Sequence, residues 1–193
     1  MRRLLPSLLV LLAASAGVAG GTVLVPTSRD EVDNADLEPG DRAPRVYRIA
    51  EDPSGREPGW GVRVYESGTG LGCVSAGRVD DAGRFGRVDA EGRLIELPSA
   101  PDGACADLAK HPLALSIRRY ASRAGQPARG VVYGVVARPE TVVELDCGEG
   151  GRRALDTRPG GAFLAVDADP TLTGCVLTVT PRDGDARSYE LDE

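Results

Sequence analysis

Apolar and polar residues alternate with a period of two along much of the chain after Gly59. Trp60–Tyr65 and Val176–Thr180 follow this alternation, and Leu113–Arg118 follows it in part. This period predicts β-strands with one face buried, and helical periodicity is scarce. Val131–Val136 is a denser apolar run, which is expected of a central strand covered on both faces. The alternation therefore predicts a fold built from strands.

Short turn signals separate these runs. They combine Gly with Asp, Glu or Pro, and they are found at Asp80–Gly83, Ala90–Gly92, Gly148–Gly151, Pro159–Gly161 and Arg182–Gly184. Many short strands spaced by turns predict an all-β domain over residues 59–193, either an Ig-like β-sandwich or a small barrel-like one. A meander over 59–110 followed by a sandwich over 111–193 is an alternative division.

Two local predictions accompany this fold class. The segment Ala104–Lys110 is expected to form one helical turn, which Pro112 ends. Valine, leucine and alanine are expected to fill most of the core, with Phe85, Tyr133 and Phe163 as its large members.

An internal repeat lies in the first part of the predicted domain. Gly77–Arg84 reads GRVDDAGR, and nine residues later Gly86–Arg93 reads GRVDAEGR. Each copy places Asp and Gly where the chain would reverse, so Cys73–Leu97 is predicted to be a three-stranded meander. A calcium loop is the alternative function for the acidic residues of the repeat, which are Asp80, Asp81, Asp89 and Glu91. Neither copy has the alternating ligand spacing of a known calcium loop, so hairpin turns are favoured and no metal is expected.

The chain begins with a segment suited to export. Arg2 and Arg3 precede an uncharged, largely apolar stretch, so residues 1–25 are predicted to be a signal peptide or an N-terminal membrane anchor. Small residues at Ala14–Ala16 favour cleavage, whereas Val23–Val25 extend the stretch to a length that could span a membrane. In both cases the rest of the chain is expected to be extracytoplasmic, and only residues 4–25, if uncleaved, would contact a membrane.

Residues 26–58 are predicted to be a flexible acidic linker. They contain nine acidic residues, five basic residues and five prolines, and they lack a sustained hydrophobic period. One piece, Arg45–Ile49, could form a short strand. It is expected either to remain part of the spacer or to pack across the edge of the domain through Val46 and Ile49.

Four cysteines in an exported chain are expected to form two disulfides, because the exterior is oxidising. Three pairings are conceivable. Cys73–Cys105 and Cys147–Cys175 are favoured because each pair encloses one compact group of strands, whereas the other pairings would cross-link the two halves. A redox pair or thiolate metal site would need closer spacing.

The sequence offers no convergent catalytic set, so no catalytic or cofactor-binding residue is assigned. His111 is the only histidine and no G-x-S-x-G motif is present. Gly68–Gly72 is rich in glycine, but no helix follows that would suit a phosphate loop, so a turn is predicted. A net charge of −6 and few aromatic residues argue against nucleic-acid binding.

Several segments together resemble uncharacterised exported proteins of high-GC actinobacteria. They are GVRVYESGTGLGCVSAGRV (61–79), GRFGRVD (83–89), GACADL (103–108), VVYGVVARPETVVEL (131–145) and GGAFLAV (160–166). The similarity covers most of residues 60–166. It implies an extracytoplasmic β domain and no particular activity.

The expected function is therefore a noncatalytic interaction or structural module of the cell envelope, whose partner is an envelope protein or polymer. Two alternatives are kept. One is a wall-polysaccharide hydrolase that uses a carboxylate pair, such as Asp80 or Asp89 with Glu96. The other is a calcium-dependent adhesion module. The sequence does not predict the oligomeric state.

Overall fold

The computed structural model describes residues 39–40, 42–97, 103–122 and 126–191. Within these ranges the chain forms strands, one 3-10 turn (Gly148–Gly150) and no α-helix. The strands are β1 (Arg45–Ala50), β2 (Gly59–Glu66), β3 (Gly72–Val79), β4 (Phe85–Val88), β5 (Leu94–Glu96), β6 (Ala104–Ala106), β7 (Leu113–Tyr120), β8 (Arg129–Val136), β9 (Val142–Asp146), β10 (Arg152–Leu155), β11 (Ala162–Asp167), β12 (Val176–Thr180) and β13 (Arg187–Glu190). The all-β fold predicted from the alternation is confirmed.

The strands form three antiparallel sheets. The six-stranded sheet has the order β1-β2-β3-β4-β5, with β6 paired to β3. The three-stranded sheet has the order β11-β8-β7, and the four-stranded sheet has the order β10-β9-β12-β13. Facing sheets that enclose apolar side chains make the fold sandwich-like, as predicted.

Strand β8 lies in the middle of this arrangement, and all eight of its residues are buried. Successive side chains of a strand point to opposite faces of its sheet. Val131 and Tyr133 belong to a core shared with the six-stranded sheet, whereas Val132 and Val136 belong to a core shared with the four-stranded sheet. The three-stranded sheet is therefore the middle of three layers, and the prediction of a central strand covered on both faces is confirmed.

Each core is filled mainly by β-branched and aliphatic side chains. The six-stranded sheet contributes Trp60, Val62 and Val74 to the first core, and the four-stranded sheet contributes residues such as Leu145 and Leu177 to the second. The three large side chains predicted to be buried are buried: Phe85, Tyr133 and Phe163.

Both disulfides have the predicted pairing. Cys73 and Cys105 lie directly opposite each other in the ladder between β3 and β6. Cys147 and Cys175 lie at the neighbouring ends of β9 and β12. Disulfides persist in oxidising compartments and are rare in the cytosol. The pair of bridges therefore indicates an oxidising, extracytoplasmic environment.

The repeat forms two equivalent hairpin turns, and β3, β4 and β5 make the predicted meander. In the first turn, Asp80 Oδ1 accepts a hydrogen bond from the backbone N–H of Arg84 at 2.9 Å, and Asp80 Oδ2 accepts one from Arg84 Nε at 2.8 Å. The same two bonds join Asp89 and Arg93 at 2.8 and 2.9 Å. The repeated letters thus encode a repeated turn in which the arginine side chain closes back onto the aspartate.

Glycine is required in both turns because of the backbone conformation there. Gly83 has φ +77° and Gly92 has φ +83°, in the region that side chains with a Cβ rarely adopt. We expect Gly83→Ala and Gly92→Ala each to lower the free energy of unfolding by about 1 kcal/mol. Gly68→Ala is the matched control, because it is also an exposed turn glycine but lacks a positive φ. Urea denaturation measures all three, and equal effects at the three positions would contradict the assignment.

One local prediction is wrong. The segment Ala104–Lys110 was expected to be helical, but Ala104–Ala106 form strand β6 and only a turn follows. Cys105 is bridged to Cys73, and the flanking alanines pair with β3. These long-range constraints override the weak local preference for helix.

The short piece of the linker that could form a strand does so. Strand β1 pairs with β2, with an irregularity between Arg48 and Ala50. The packed-arm alternative therefore describes residues 45–50. Tyr47 and Ile49 pack against the core, whereas Val46, which was expected to do so, has no place in that cluster.

Residues 1–38 lie outside the described part of the chain. The predicted signal or anchor segment over 1–25 falls there, as do residues 26–38 of the predicted linker. Among the residues that the structure describes, no helix has the length and apolar character needed to cross a membrane.

Candidate functional site

A cleft of about 930 Å³ opens beside β3 and β4 of the six-stranded sheet. Its walls include the end of β7, the start of β8 and the residue Asp52, which lies in the connection between β1 and β2. Among the described residues of the lining, arginines outnumber acids: Arg78, Arg87, Arg118, Arg119 and Arg129 against Asp52 and Asp89. The cleft is therefore positive although the whole chain carries a net charge of −6.

Asp52 is the centre of a buried hydrogen-bond network at one end of this cleft. Its Oδ2 accepts hydrogen bonds from Arg78 Nη1 and Trp60 Nε1, both at 2.9 Å. Its Oδ1 accepts hydrogen bonds from Arg129 Nη2 at 2.8 Å and from the backbone and hydroxyl of Ser54 at 2.9 and 2.6 Å. One carboxylate thus joins the β1–β2 connection to β3 and to β8.

The network keeps Asp52 ionised. Burial alone would raise the pKa of this carboxyl, because a charged group loses hydration in the interior. The hydrogen bonds from Arg129, Ser54 and Trp60 outweigh burial, so the pKa lies well below its usual range. The side chain of Asp52 is 2% exposed, and those of Arg78 and Arg129 are 6% and 7% exposed. This is a buried cluster of two cations and one anion.

Trp60 holds the arginine in place from one side. The Arg78 guanidinium carbon lies 4.4 Å from the centroid of the Trp60 ring, in a cation–π arrangement. Tyr120 meets the same ring edge-on, with centroids 5.1 Å apart. Trp60 itself is buried. The indole therefore contributes to the first core and to the wall of the cleft.

Several buried polar atoms of residues that line the cleft have no hydrogen-bond partner among the described residues. They are Nε and Nη2 of Arg78, Nε of Arg129 and Oγ of Ser75. Buried polar groups are paired in most native structures, so each exception requires an explanation. Period-two counting places Arg78 on the face of β3 that carries Val74, and places Ser75 on the opposite face. Arg78 and Arg129 both donate to Asp52, so they belong to one polar surface, which Ser75 does not share.

The cleft has a physical basis in sheet pairing. Strand β6 pairs with β3 at residues 72–74, and β4 pairs with it at 78–79. The edge of β3 between these two ladders, over Ser75–Gly77, lines the cleft. The cleft thus follows a stretch of β3 that no described strand pairs with on this side.

Asp80 and Asp89, the carboxylates considered for hydrolysis, accept hydrogen bonds within their own turns. Hydrogen bonds from the backbone and side chain of Arg84 lower the pKa of Asp80, and those of Arg93 lower the pKa of Asp89, in both cases against a smaller opposing effect of burial. The two turns lie at opposite ends of β4. Glu96 is exposed and pairs with Gly86 on the neighbouring strand. A general acid in glycoside hydrolysis needs a raised pKa.

The remaining acidic residues of the repeat also have basic partners. Asp81 is paired with Arg48, and Glu91 with Arg93. No group of three or more His, Cys, Asp or Glu side chains in the described ranges is arranged to hold a metal ion.

Two further sequence features have structural positions away from the cleft. His111 is exposed, and its backbone N–H donates to the carbonyl of Asp107 at the end of a turn. The glycine-rich segment 68–72 is the turn between β2 and β3, with Gly70 at φ +82°. The turn predicted there is confirmed.

Sequence reasoning missed the cluster around Asp52, because that residue was assigned to the linker. A signal was present in the strands. Arg78 falls in the same alternation phase as Val74, and Arg129 falls in the phase of Val131 and Tyr133. Two arginines in core-facing positions require a buried acid, because an unpaired buried charge is strongly destabilising. The alternation could therefore have revealed that an acid was needed.

The fold and the cleft define an all-β, disulfide-bonded domain with a buried arginine–aspartate cluster. No family model, no curated protein and no solved structure matches this chain.

Proposed function

We propose that this protein is a noncatalytic binding module of the cell envelope that holds its ligand in the arginine-lined cleft. The observation that carries the proposal is the cleft itself. Its volume of about 930 Å³ lies within the range of small-ligand pockets, and polar groups line one wall. The two disulfides support a place outside the cytoplasm.

The N-terminal residues would bring the domain to this extracytoplasmic location. Residues 1–25 would direct export and then be either removed or retained as an anchor, and the acidic residues that follow would hold the domain away from the membrane. Residues 26–38, which precede the bridge between Pro39 and Ser67, would span about 20 Å as a flexible chain. This length suits a module that meets envelope polymers or proteins near the membrane surface.

A binding role is favoured over hydrolysis by the state of the acidic groups. Asp80 and Asp89 accept hydrogen bonds that hold them ionised, so neither carries the proton that a leaving group needs. Asp52 accepts five hydrogen bonds and is likewise held as a carboxylate. These groups fix the fold around the cleft.

A bulky side chain introduced into the lining of the cleft tests the proposal. Ala121 is exposed and lines the cleft just after β7. We expect the full-length Ala121→Phe variant to bind isolated envelope material with a dissociation constant at least about tenfold higher, because the added ring occupies space that the ligand needs. Co-sedimentation measures the bound fraction, and a reducing-sugar assay on the same samples is expected to show no release.

Ala186→Phe is the matched control, because Ala186 is equally exposed but lies in the turn between β12 and β13. It is expected to bind as the wild type does. Equal binding by both variants would exclude the cleft as the ligand site. Sugar release that is lost in Asp80→Asn or Asp89→Asn would instead identify a hydrolase.

A further inference from the structure

The cluster around Asp52 leaves one edge of Arg78 unused. Arg78 donates to Asp52 through Nη1, whereas Nε and Nη2 have no hydrogen-bond partner among the described residues. Leaving a buried donor unpaired is unfavourable, by more when the group is charged. Arg78 lines the cleft, so a ligand that displaces the groups covering Nε and Nη2 is the natural source of the missing acceptors.

The unused atoms form a specific pair. Nε and Nη2 lie on one edge of the guanidinium plane, and this edge can donate two parallel hydrogen bonds to a carboxylate or phosphate. Arg78 is also fixed in orientation by Asp52 and by the Trp60 ring. A donor pair that is already held in place loses little rotational freedom when it binds.

The net charge of the cluster also favours an anionic ligand. Asp52 neutralises only one of the two arginines that contact it, and Nε of Arg129 also has no partner in the described ranges. The cluster therefore keeps one excess positive charge. Since the chain as a whole is negative, general surface attraction does not favour anions, and affinity for them has to come from this local site.

We propose that the cleft binds an oxyanion, a carboxylate or phosphate group of its ligand, on the Nε–Nη2 edge of Arg78 with Arg129 beside it. This inference rests on the proposed function and deepens it by naming the chemistry of the ligand. Asp52 is a positioning residue, because it holds both arginines without contacting the ligand itself.

The fluorescence of Trp60 provides a direct readout, because it is the only tryptophan and it contacts Arg78. We expect polyphosphate or polyglutamate to change the emission of the full-length protein in a saturable way that added salt weakens, and neutral dextran to leave it unchanged. The two anionic probes distinguish the source of the oxyanion. A response to either one supports the proposal and shows whether phosphate or carboxylate is preferred.

Conservative variants test whether the change in Trp60 emission depends on Arg78. Arg78→Lys keeps the charge and removes the donor edge, so affinity is expected to fall about tenfold or more. Arg129→Lys gives the same test through the neighbouring side chain if Arg78→Lys does not fold. Arg187→Glu is the control, because it changes an exposed charge on β13, outside the cleft, and it is expected to stay within about twofold of the wild type.

Each contrary result has a defined meaning. No emission change with either polyanion, or a change that folded Arg78→Lys and Arg129→Lys variants retain in full, would overturn the oxyanion assignment. The proposed function would survive that result if Ala121→Phe still reduced envelope binding. Conversely, unchanged envelope binding by Ala121→Phe would remove the proposed function even if small anions bound at Arg78.

Discussion

Replacing Asp52 with alanine is expected to lower the free energy of unfolding by about 3–5 kcal/mol. The substitution leaves Arg78 and Arg129 buried without a counter-charge and removes the acceptor of Trp60 Nε1. It also releases the β1–β2 connection from the two sheets that meet there. Urea denaturation at pH 7 measures the loss, which is a large fraction of the roughly 5–15 kcal/mol usual for a domain.

The pH dependence of the free energy of unfolding shows whether the ionised carboxylate of Asp52 causes this loss. The pKa of Asp52 is lowered by folding, so below about 4 the unfolded chain takes up a proton that the folded chain does not. The contribution of this carboxylate is therefore present in full above that pH and falls as the pH is lowered. The difference in stability between wild type and Asp52→Asn is expected to shrink steadily below pH 4.

Asp185→Asn is the matched control, because Asp185 is exposed in the turn between β12 and β13. It is expected to change stability by less than about 0.5 kcal/mol. If Asp52→Ala unfolded at the same urea concentration as the wild type, the cluster could not be what joins the β1–β2 connection to the sheets.

Removing either disulfide is expected to lower stability by about 3.5–4 kcal/mol, because each bridge closes a loop of about 30 residues in the unfolded chain. The bridged cysteines are separated by 32 residues in the first pair and 28 in the second. Double variants in which both partners become alanine, Cys73/Cys105 and Cys147/Cys175, test this by urea denaturation. The two losses are expected to be similar, since loop length enters only through its logarithm.

Mass spectrometry provides the control for this prediction. Intact protein that is alkylated without reduction is expected to gain no mass, whereas reduced protein gains the mass of four alkyl groups. Labelling of any cysteine before reduction would contradict the pairing. A loss confined to one double variant would show that the other bridge does not restrict the unfolded chain.

The fold could be predicted largely from local patterns. The alternation at Trp60–Tyr65 and the dense run at Val131–Val136 each specify how many faces of a strand are buried, and this property is carried by neighbouring residues. The repeat likewise specifies its own turns, because Asp80 and Arg84 are only four residues apart. The pairing of Cys73 with Cys105 could be chosen because each disulfide closes a compact unit.

The candidate site could not be predicted in the same way, because its partners are far apart in sequence. Asp52 is 26 residues from Arg78 and 77 from Arg129. Period two shows that both arginines face inward, but it does not say which of 29 acidic residues meets them. Composition even pointed away from Asp52, because it lies in an acidic, proline-containing stretch typical of a linker. Only the docking of β1 on β2 brings this acid to the cluster.

The position of strand β8 determines how the domain unfolds. Because its alternate side chains belong to both cores, displacing β8 would expose Tyr133 on one side and Val132 on the other at the same time. Neither core can therefore unfold while β8 remains in place for the other core. Eight consecutive residues thus make two separate interiors into a single cooperative unit.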